Sequence, residues 1–534
     1  MNNKKLRMNN LLALVITIFS CCAITGGFAG TVHYVSQSIG DDSLDGKAPS
    51  VGTPHGPWKT LRKASQISYA EGDQLLLKSG DSWTDGLVLK GGGTSVNPAM
   101  VSSYGIGPKP VIDRQDSVMA HMKRCIHLDG NGRGWKILNL ELANAARGIE
   151  AWAAGTNRSF LWLENLDVHG CKFGERFSKT SGDQNNMQNG VRIGGSLGKA
   201  TIRSCKFSDN FVGLWAGVPS DITVCLFAHM EWTGLWYVGA RGGIISSNKF
   251  MHNCDRYVWC GVSASALAGV SDCVVEYNEF GETQVVDGAV DGEDLDFEAG
   301  CDNVILRHNL FHESGGPASM LYNSASHNSP NKHILIHDNV FFHAAMNPSS
   351  KTYECTFLLS DGNSGTITNN RIYCRPGVPV YGGSDCPGVA TAGNLELKIE
   401  EEPREINHAR PAVFSASSNR ASAANAGDDN PATGWTAAGR TGEWLQLEFK
   451  TQRRLDYFVV QQTRGSLINN FVLQCWEDAA WKDIFTSYSE MGPRKYMPTR
   501  RISTQRVRLL IHSTAGGSPS ISELACFDTQ EKER

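Results

Sequence analysis

IISSNKF (244–250), VVEYNEF (274–280), ILRHNLF (305–311), LIHDNVF (335–341) and ITNNRI (367–372) are five copies of one pattern, apolar-x-x-Asn-x-apolar. Their Asn residues, Asn248, Asn278, Asn309, Asn339 and Asn370, follow one another at 30, 31, 30 and 31 residues. Working outward, ILNLEL and WLENLDV add Asn139 and Asn165, and TIRSCKF and ITVCLF put Cys205 and Cys225 in the Asn place. Here the spacings shorten to 26, 20 and 23 residues, around one gap of 40 between Asn165 and Cys205. A unit this short cannot bury an apolar face alone, but a stack of such units buries a continuous core. Alternating apolar residues make each unit a short strand with one face inward. A buried turn Asn can bond backbone groups of its own and adjacent coils, which suits a repeated turn of unusual geometry. The Leu signature of leucine-rich repeats is absent, and no long amphipathic helix separates the strands, so the expectation is an all-β coil.

The chain has 534 residues, too many for one ordinary core, and a net charge of only −4. That balance gives no electrostatic reason to expect nucleic acid or an anionic membrane as partner. Lys4, Lys5 and Arg7 precede an apolar run, Leu11 to Phe19, and Gly27-Phe28-Ala29 offers a cleavage site. Residues 1–29 therefore read as an export signal, with lipidation at Cys21 as the alternative, and the mature protein is expected to be secreted or periplasmic. No other segment is apolar enough to span a bilayer, and a monomer is expected. Of 15 Cys, Cys21 and Cys22 lie in the signal. Export permits disulfides, for which Cys475 with Cys526 and Cys374 with Cys386 are candidates; Cys205 and Cys225, inside the repeat, read as buried thiols. The absence of a C-x-x-C pair argues against a zinc site.

HYVSQSIGDDSLDG, GPWKTLRKAS, GDQLLLKSGDSW and PKPVID follow residues 1–29. Together with the repeat, this resembles secreted proteins of the pectate-lyase-like superfamily over about residues 31–390. The resemblance implies a right-handed parallel β-helix whose open end is capped by a short helix at the Lys-Ala segment. Such a cap covers what would otherwise be an unpaired sheet edge.

Composition shifts at 391–410, where EEEPREINHARP reads as a linker. Period-2 strands then resume at WLQLEF (444–449), LDYFVVQQ (455–462), NNFVLQCW (469–476) and RVRLLIH (506–512). ANAGDDNPATGW (424–435), Trp444-Leu-Gln-Leu and ISELACF (521–527) resemble the F5/8 type C, or discoidin, domain. That resemblance implies a β-sandwich (jelly roll) over 411–530, carbohydrate binding, and a structural calcium ion on Asp428, Asp429, Thr433 and Glu523. Oxygen ligands on a tight polar loop suit calcium. Trp435 reads as core.

Aligning the coils on the ladder superposes FVGLWAGV, TGLWYVGA, RYVWCGVSA, DGEDLDFEAG, ASMLYNSA and TFLLSDG. Only the fourth is acidic. If Leu295 and Phe297 point inward, Asp294, Asp296 and Glu298 project from one outer face. Crowded carboxylates raise one another's pKa, so one serves as acid while another stays ionised. Trp215 and Trp236 occupy comparable places on neighbouring coils and offer sugar-stacking surfaces; Arg256, Tyr257 and Trp259 are candidates to line the same groove. A second column, Asp209, His229, His252, Glu282, Glu313 and His343, reads as turn structure, with His312 and Glu313 as acid/base candidates. The polar excursion 173–190 reads as a cleft wall or a surface insert. Three functions follow: a glycoside hydrolase with paired carboxylates, acting on a poly- or oligosaccharide; a calcium-assisted polysaccharide lyase with Arg192 or Arg256 as base; or a non-catalytic glycan-binding protein. The polygalacturonase motifs are absent apart from a partial likeness at Asp291-Gly-Glu-Asp294.

Overall fold

A computed structural model describes residues 30–115, 123–129, 134–153, 159–172, 188–255, 263–285, 291–323, 328–347, 353–398, 406–463 and 465–529. Residues 1–29, which read as an export signal, together with Arg256, Tyr257 and Trp259 and most of the 173–190 excursion, lie outside them.

Each coil contributes one short strand to each of three parallel sheets, of 13, 12 and 12 strands. The first sheet runs from Val32–Val35 to Val389–Ala392 and the second from Ser82–Trp83 to Leu395–Lys398; the third runs from Ser68–Tyr69 to Tyr381–Gly383. The last rung thus extends to Lys398, into the stretch read as linker. At the N-terminal end the helix Leu61–Ala64 buries Leu61 and Ala64, and the Thr60 hydroxyl caps it by accepting from Lys63 N.

Two columns hold the coils in register. Phe207, Phe227, Phe250, Phe280, Phe311 and Phe341 stack face to face at 4.7–4.8 Å along the core. Each removes an aromatic surface from water, worth roughly 1.5–3 kcal/mol of transfer free energy. The second column is the Asn ladder. Asn278 Oδ1 accepts from Asn248 N (2.9 Å) and Asn248 Nδ2 (3.0 Å), while Asn278 Nδ2 donates to Ile245 O (2.8 Å). The arrangement repeats through Asn309 and Asn339 to Asn370 and continues to Asn394. The residue before each ladder Asn is left-handed, as at Tyr277 (φ 56°) and His308 (φ 56°).

This register corrects two early units. Asn139 (φ 59°) and Asn165 (φ 53°) are themselves the left-handed residues, and buried Leu140 and Leu166 fill the ladder place. The two Asn side chains instead bond each other on the surface. Asn suits both positions, one for its conformation and one for its amide.

The C-terminal domain is a seven-stranded antiparallel sheet. Its longest strands, Glu443–Gln462 and Arg494–Thr514, pair with register shifts, and the sheet turns around one apolar core that includes Trp435. The domain docks on the outer face of the second sheet. Leu310, Val340, Phe342 and Tyr373 share its core, Glu279 accepts from Thr486, and Arg371 pairs with Asp456 (2.9 Å). The twelve described cysteines are free thiols, so neither Cys475–Cys526 nor Cys374–Cys386 is bridged; Cys205 and Cys225 are buried thiols as expected.

Candidate active site

The third sheet carries the acids. Its register places His127, Glu150, Arg192, Trp215, Trp236, Ala266, Asp296 and Met320 in one column, one residue per rung. Leu295 and Phe297 are fully buried in the core, so Asp296 and Glu298 face outward between and beyond them. Trp215 and Trp236 share that face and are half-buried.

Asp294 does not join them. Its register neighbours Ala264 and Ala318 belong to the core, and the same place holds Gly148, Gly190, Gly213 and Gly234 on earlier rungs. The strand's strict alternation therefore breaks at its first residues. Asp294 turns inward, fully buried, and accepts from the Thr283 hydroxyl (2.5 Å). Glu293 replaces it at the acid cluster. Its outer place corresponds to Ser263 and, further back, to Arg147, which pairs with outward Glu150. The expectation that Asp294, Asp296 and Glu298 share one face is thus corrected: the acids acting on one another are Asp291, Glu293, Asp296 and Glu298.

Burial dominates their ionisation. It raises Asp296 well above the usual carboxylate range, and Glu293, Glu298 and Asp291 raise it further. Burial also raises Glu293 strongly, with Asp291 next in effect. Asp291, less enclosed, is pushed up to about 6 by burial and then by Glu298. Asp296 Oδ1 and Glu293 Oε2 make no hydrogen bond within the described residues. Burial and crowding therefore favour the protonated forms of Asp296 and Glu293, while Asp291 is the less enclosed carboxylate, a difference of the kind that acid/base chemistry uses.

Aromatic groups continue the face on both sides. Trp152 lies 5.7 Å from Trp215, and Trp232 lies 4.4 Å from Trp236. The Arg192 guanidinium sits over Trp152 (4.9 Å) and Trp215 (5.2 Å). Beyond Asp296, Met320, Leu358 and Cys355 form an apolar patch with Tyr322 and Tyr353, and Tyr353 feels the charges of Asp291 and Glu293. Sequence reasoning missed Glu293, Trp152, Tyr322 and Tyr353. The signal for Glu293 was present: five successive Gly or Ala residues mark the inward place that Asp294 takes.

His312 and Glu313 belong elsewhere. They lie on and just after Leu310–His312 of the second sheet, under the C-terminal domain. His312 is fully buried between Glu279 (3.3 Å) and Glu313 (3.5 Å), with its ring 4.3 Å from Phe485. Glu313 takes both its oxygens to Lys495 Nζ at 2.6 Å, and that ammonium with His312 holds its carboxyl far below the usual range. These are interface groups, not groove groups. Asp209, His229, His252, Glu282, Glu313 and His343 all have φ between 52° and 57°, the left-handed turn expected of their column.

At the expected calcium loop, Asp428 accepts from Thr433 Oγ1 (2.8 Å) and from Asn430 N (2.9 Å). Asp429 is ion-paired with Arg410 instead, and Glu523 lies opposite Gln461 on the neighbouring strand. The donor set is oxygen-rich and suits calcium at Asp428 and Thr433, but Asp429 is committed to the guanidinium.

Residues 124–341 match the family model of the right-handed β-helix region, and residues 412–524 match that of the F5/8 type C domain. The chain is a right-handed parallel β-helix carrying an F5/8 type C domain. Among solved structures it is similar to the GH136 lacto-N-biosidase from Eubacterium ramulus, at 17% identity and a TM-score of 0.54, covering 69% of this chain and 68% of that one. The F5/8 type C domain is matched by a family 32 carbohydrate-binding module of C. perfringens NanJ in complex with galactose, at 18% identity and a TM-score of 0.21, over 23% of this chain and all of that one. A comparison with curated proteins finds no match. Among the described residues no helix is long and apolar enough to cross a membrane.

Proposed function

We propose that the protein is an exported glycoside hydrolase acting on a poly- or oligosaccharide laid along the third sheet of the β-helix. The observation that carries this reading is the run of Trp215 and Trp236 leading to Asp296 on one outer face, with Asp291, Glu293 and Glu298 around it. Asp296, whose protonated form is favoured by burial and by its neighbours, serves as the general acid toward the glycosidic oxygen. Asp291, ionised above about 6, is the carboxylate partner. Glu298, beside Asp296 in the cluster, favours the proton's staying on Asp296. The indole faces stack on sugar rings. The F5/8 type C domain serves as a glycan-binding module, with a structural calcium on Asp428, Thr433 and Glu523. The likeness to a lacto-N-biosidase agrees with the reaction class.

The same crowding of acids favours a second reading, a calcium-assisted lyase. Against it, Arg192 lies four rungs from Asp296 in the same column, about 19 Å at roughly 4.8 Å per rung. One experiment separates the readings: a glycan panel assayed for reducing ends and for unsaturated product, with and without chelator. Chelator-resistant release of reducing sugar, lost in Asp296→Asn, is expected. Chelator-sensitive unsaturated product means a lyase. Binding without turnover across the panel refutes both and leaves a glycan-binding protein.

A further inference from the structure

A second cluster lies away from the acids, at the turn that follows the second sheet. His229 and His252 occupy the same place on successive rungs, since Leu226–Ala228 pairs in register with Lys249–Met251 immediately before them. Both are left-handed, and their ring centroids are 4.8 Å apart at 89°. Asp255 closes the group: its N donates to Met230 O (3.0 Å), and its Oδ2 stands 3.4 Å from His229 Nδ1. One ligand atom from each of the three lies within 4.8 Å of the others. His252 Nδ1 is buried and makes no hydrogen bond within the described residues. Asp209 precedes and Glu282 follows in the same column, and both add negative potential at His229. Glu282 is already held by Ser487 Oγ (2.5 Å) and Tyr488 N (2.9 Å), and the Tyr488 ring lies 5.7 Å from that of His229.

We infer that His229, His252 and Asp255 bind a divalent transition-metal ion, with zinc as the natural occupant, at the seam between the β-helix and the F5/8 type C domain. Two imidazoles and one carboxylate are a zinc ligand set, and three protein ligands leave a fourth position for water. The register puts the two imidazoles at the same place on successive rungs, close enough to converge on one ion. The three ligand atoms lie within 4.8 Å of one another, against roughly 3.3 Å for atoms about 2.0 Å from a shared tetrahedral ion. Surrounding carboxylates favour a cation, and the oxygen-only preference of calcium does not match this set.

The test uses the full-length protein, stripped with chelator and dialysed, then titrated with Zn2+ and separately with Co2+ as a spectroscopic probe. One high-affinity equivalent per chain is expected, unaffected by excess Ca2+. His229→Asn and His252→Asn retain a residue at ease in the left-handed conformation, and Asp255→Asn changes an exposed group, so the folds should persist. Each should weaken Zn2+ binding by at least about 100-fold and abolish the Co2+ visible absorption, with the metal-free melting temperature unchanged. Absence of a zinc equivalent in the wild type, or undiminished binding in all three variants, overturns the inference.

Discussion

Replacing Asp294 by Asn should stabilise the protein at alkaline pH and leave it nearly unchanged near the unfolded-state pKa. The carboxyl is fully buried, and its pKa is pushed from 3.8 up to about 7, first by burial. A raised acid pKa means that, between about 4 and 7, the native state holds a proton that the unfolded chain has released. Stability therefore falls as pH rises through this window, and above it the full penalty persists. Three pKa units correspond to about 4 kcal/mol at roughly 1.4 kcal/mol per unit. An amide does not ionise and avoids that penalty. The Thr283 hydroxyl can still donate to the amide oxygen. Urea unfolding of both proteins at about pH 4 and pH 8 measures the effect, with the gain confined to the higher pH and bounded by about 4 kcal/mol. Because Asp294 faces the core rather than the groove, turnover should survive. An equal change at both pH values, or a less stable variant at pH 8, refutes the reasoning.

Asn309→Ala leaves Asn278 N and Val275 O without their partners. At about 1–3 kcal/mol for each buried group, the loss should be roughly 2–6 kcal/mol, read as a lower urea midpoint. Lys495→Ala strands buried Glu313 at the domain seam and should weaken docking by about 3–5 kcal/mol, seen as earlier proteolytic release of the C-terminal domain. Trp236→Ala should lower glycan affinity by about 1 kcal/mol or more while sparing the melting temperature, measured by calorimetry. The acidic limb of the pH–rate profile should fall near 6, where Asp291 takes up its proton, and Asp291→Asn should remove that limb together with most activity.

The coil was legible because its stabilising groups repeat in sequence. Asn278, Asn309 and Asn339 mark both the period and the hydrogen bonds. The same letter misled at Asn139 and Asn165, where conformation rather than the amide selects Asn. At the acids, period-2 reasoning placed Asp296 and Glu298 correctly and failed at Asp294, because the strand begins with a break in alternation. His312 and Glu313 follow the acidic strand in sequence but stand on another sheet, under a domain whose docking no local pattern announces. The histidine pair was read only as turn structure, since its ligands are 23 residues apart, a rung rather than a helical turn.

Ala266, Asp296 and Met320 succeed one another in the same column, while the core beneath them changes little, from Leu267 to Phe297 to Leu321. Chemistry in such a molecule is the property of a single thread of the screw. Rewriting the outward letters of one turn exchanges the reactive groups without redesigning the interior, and duplicating a turn lengthens the track on which a polymer rests. A scaffold of this kind invites new specificities by splicing rather than by refolding.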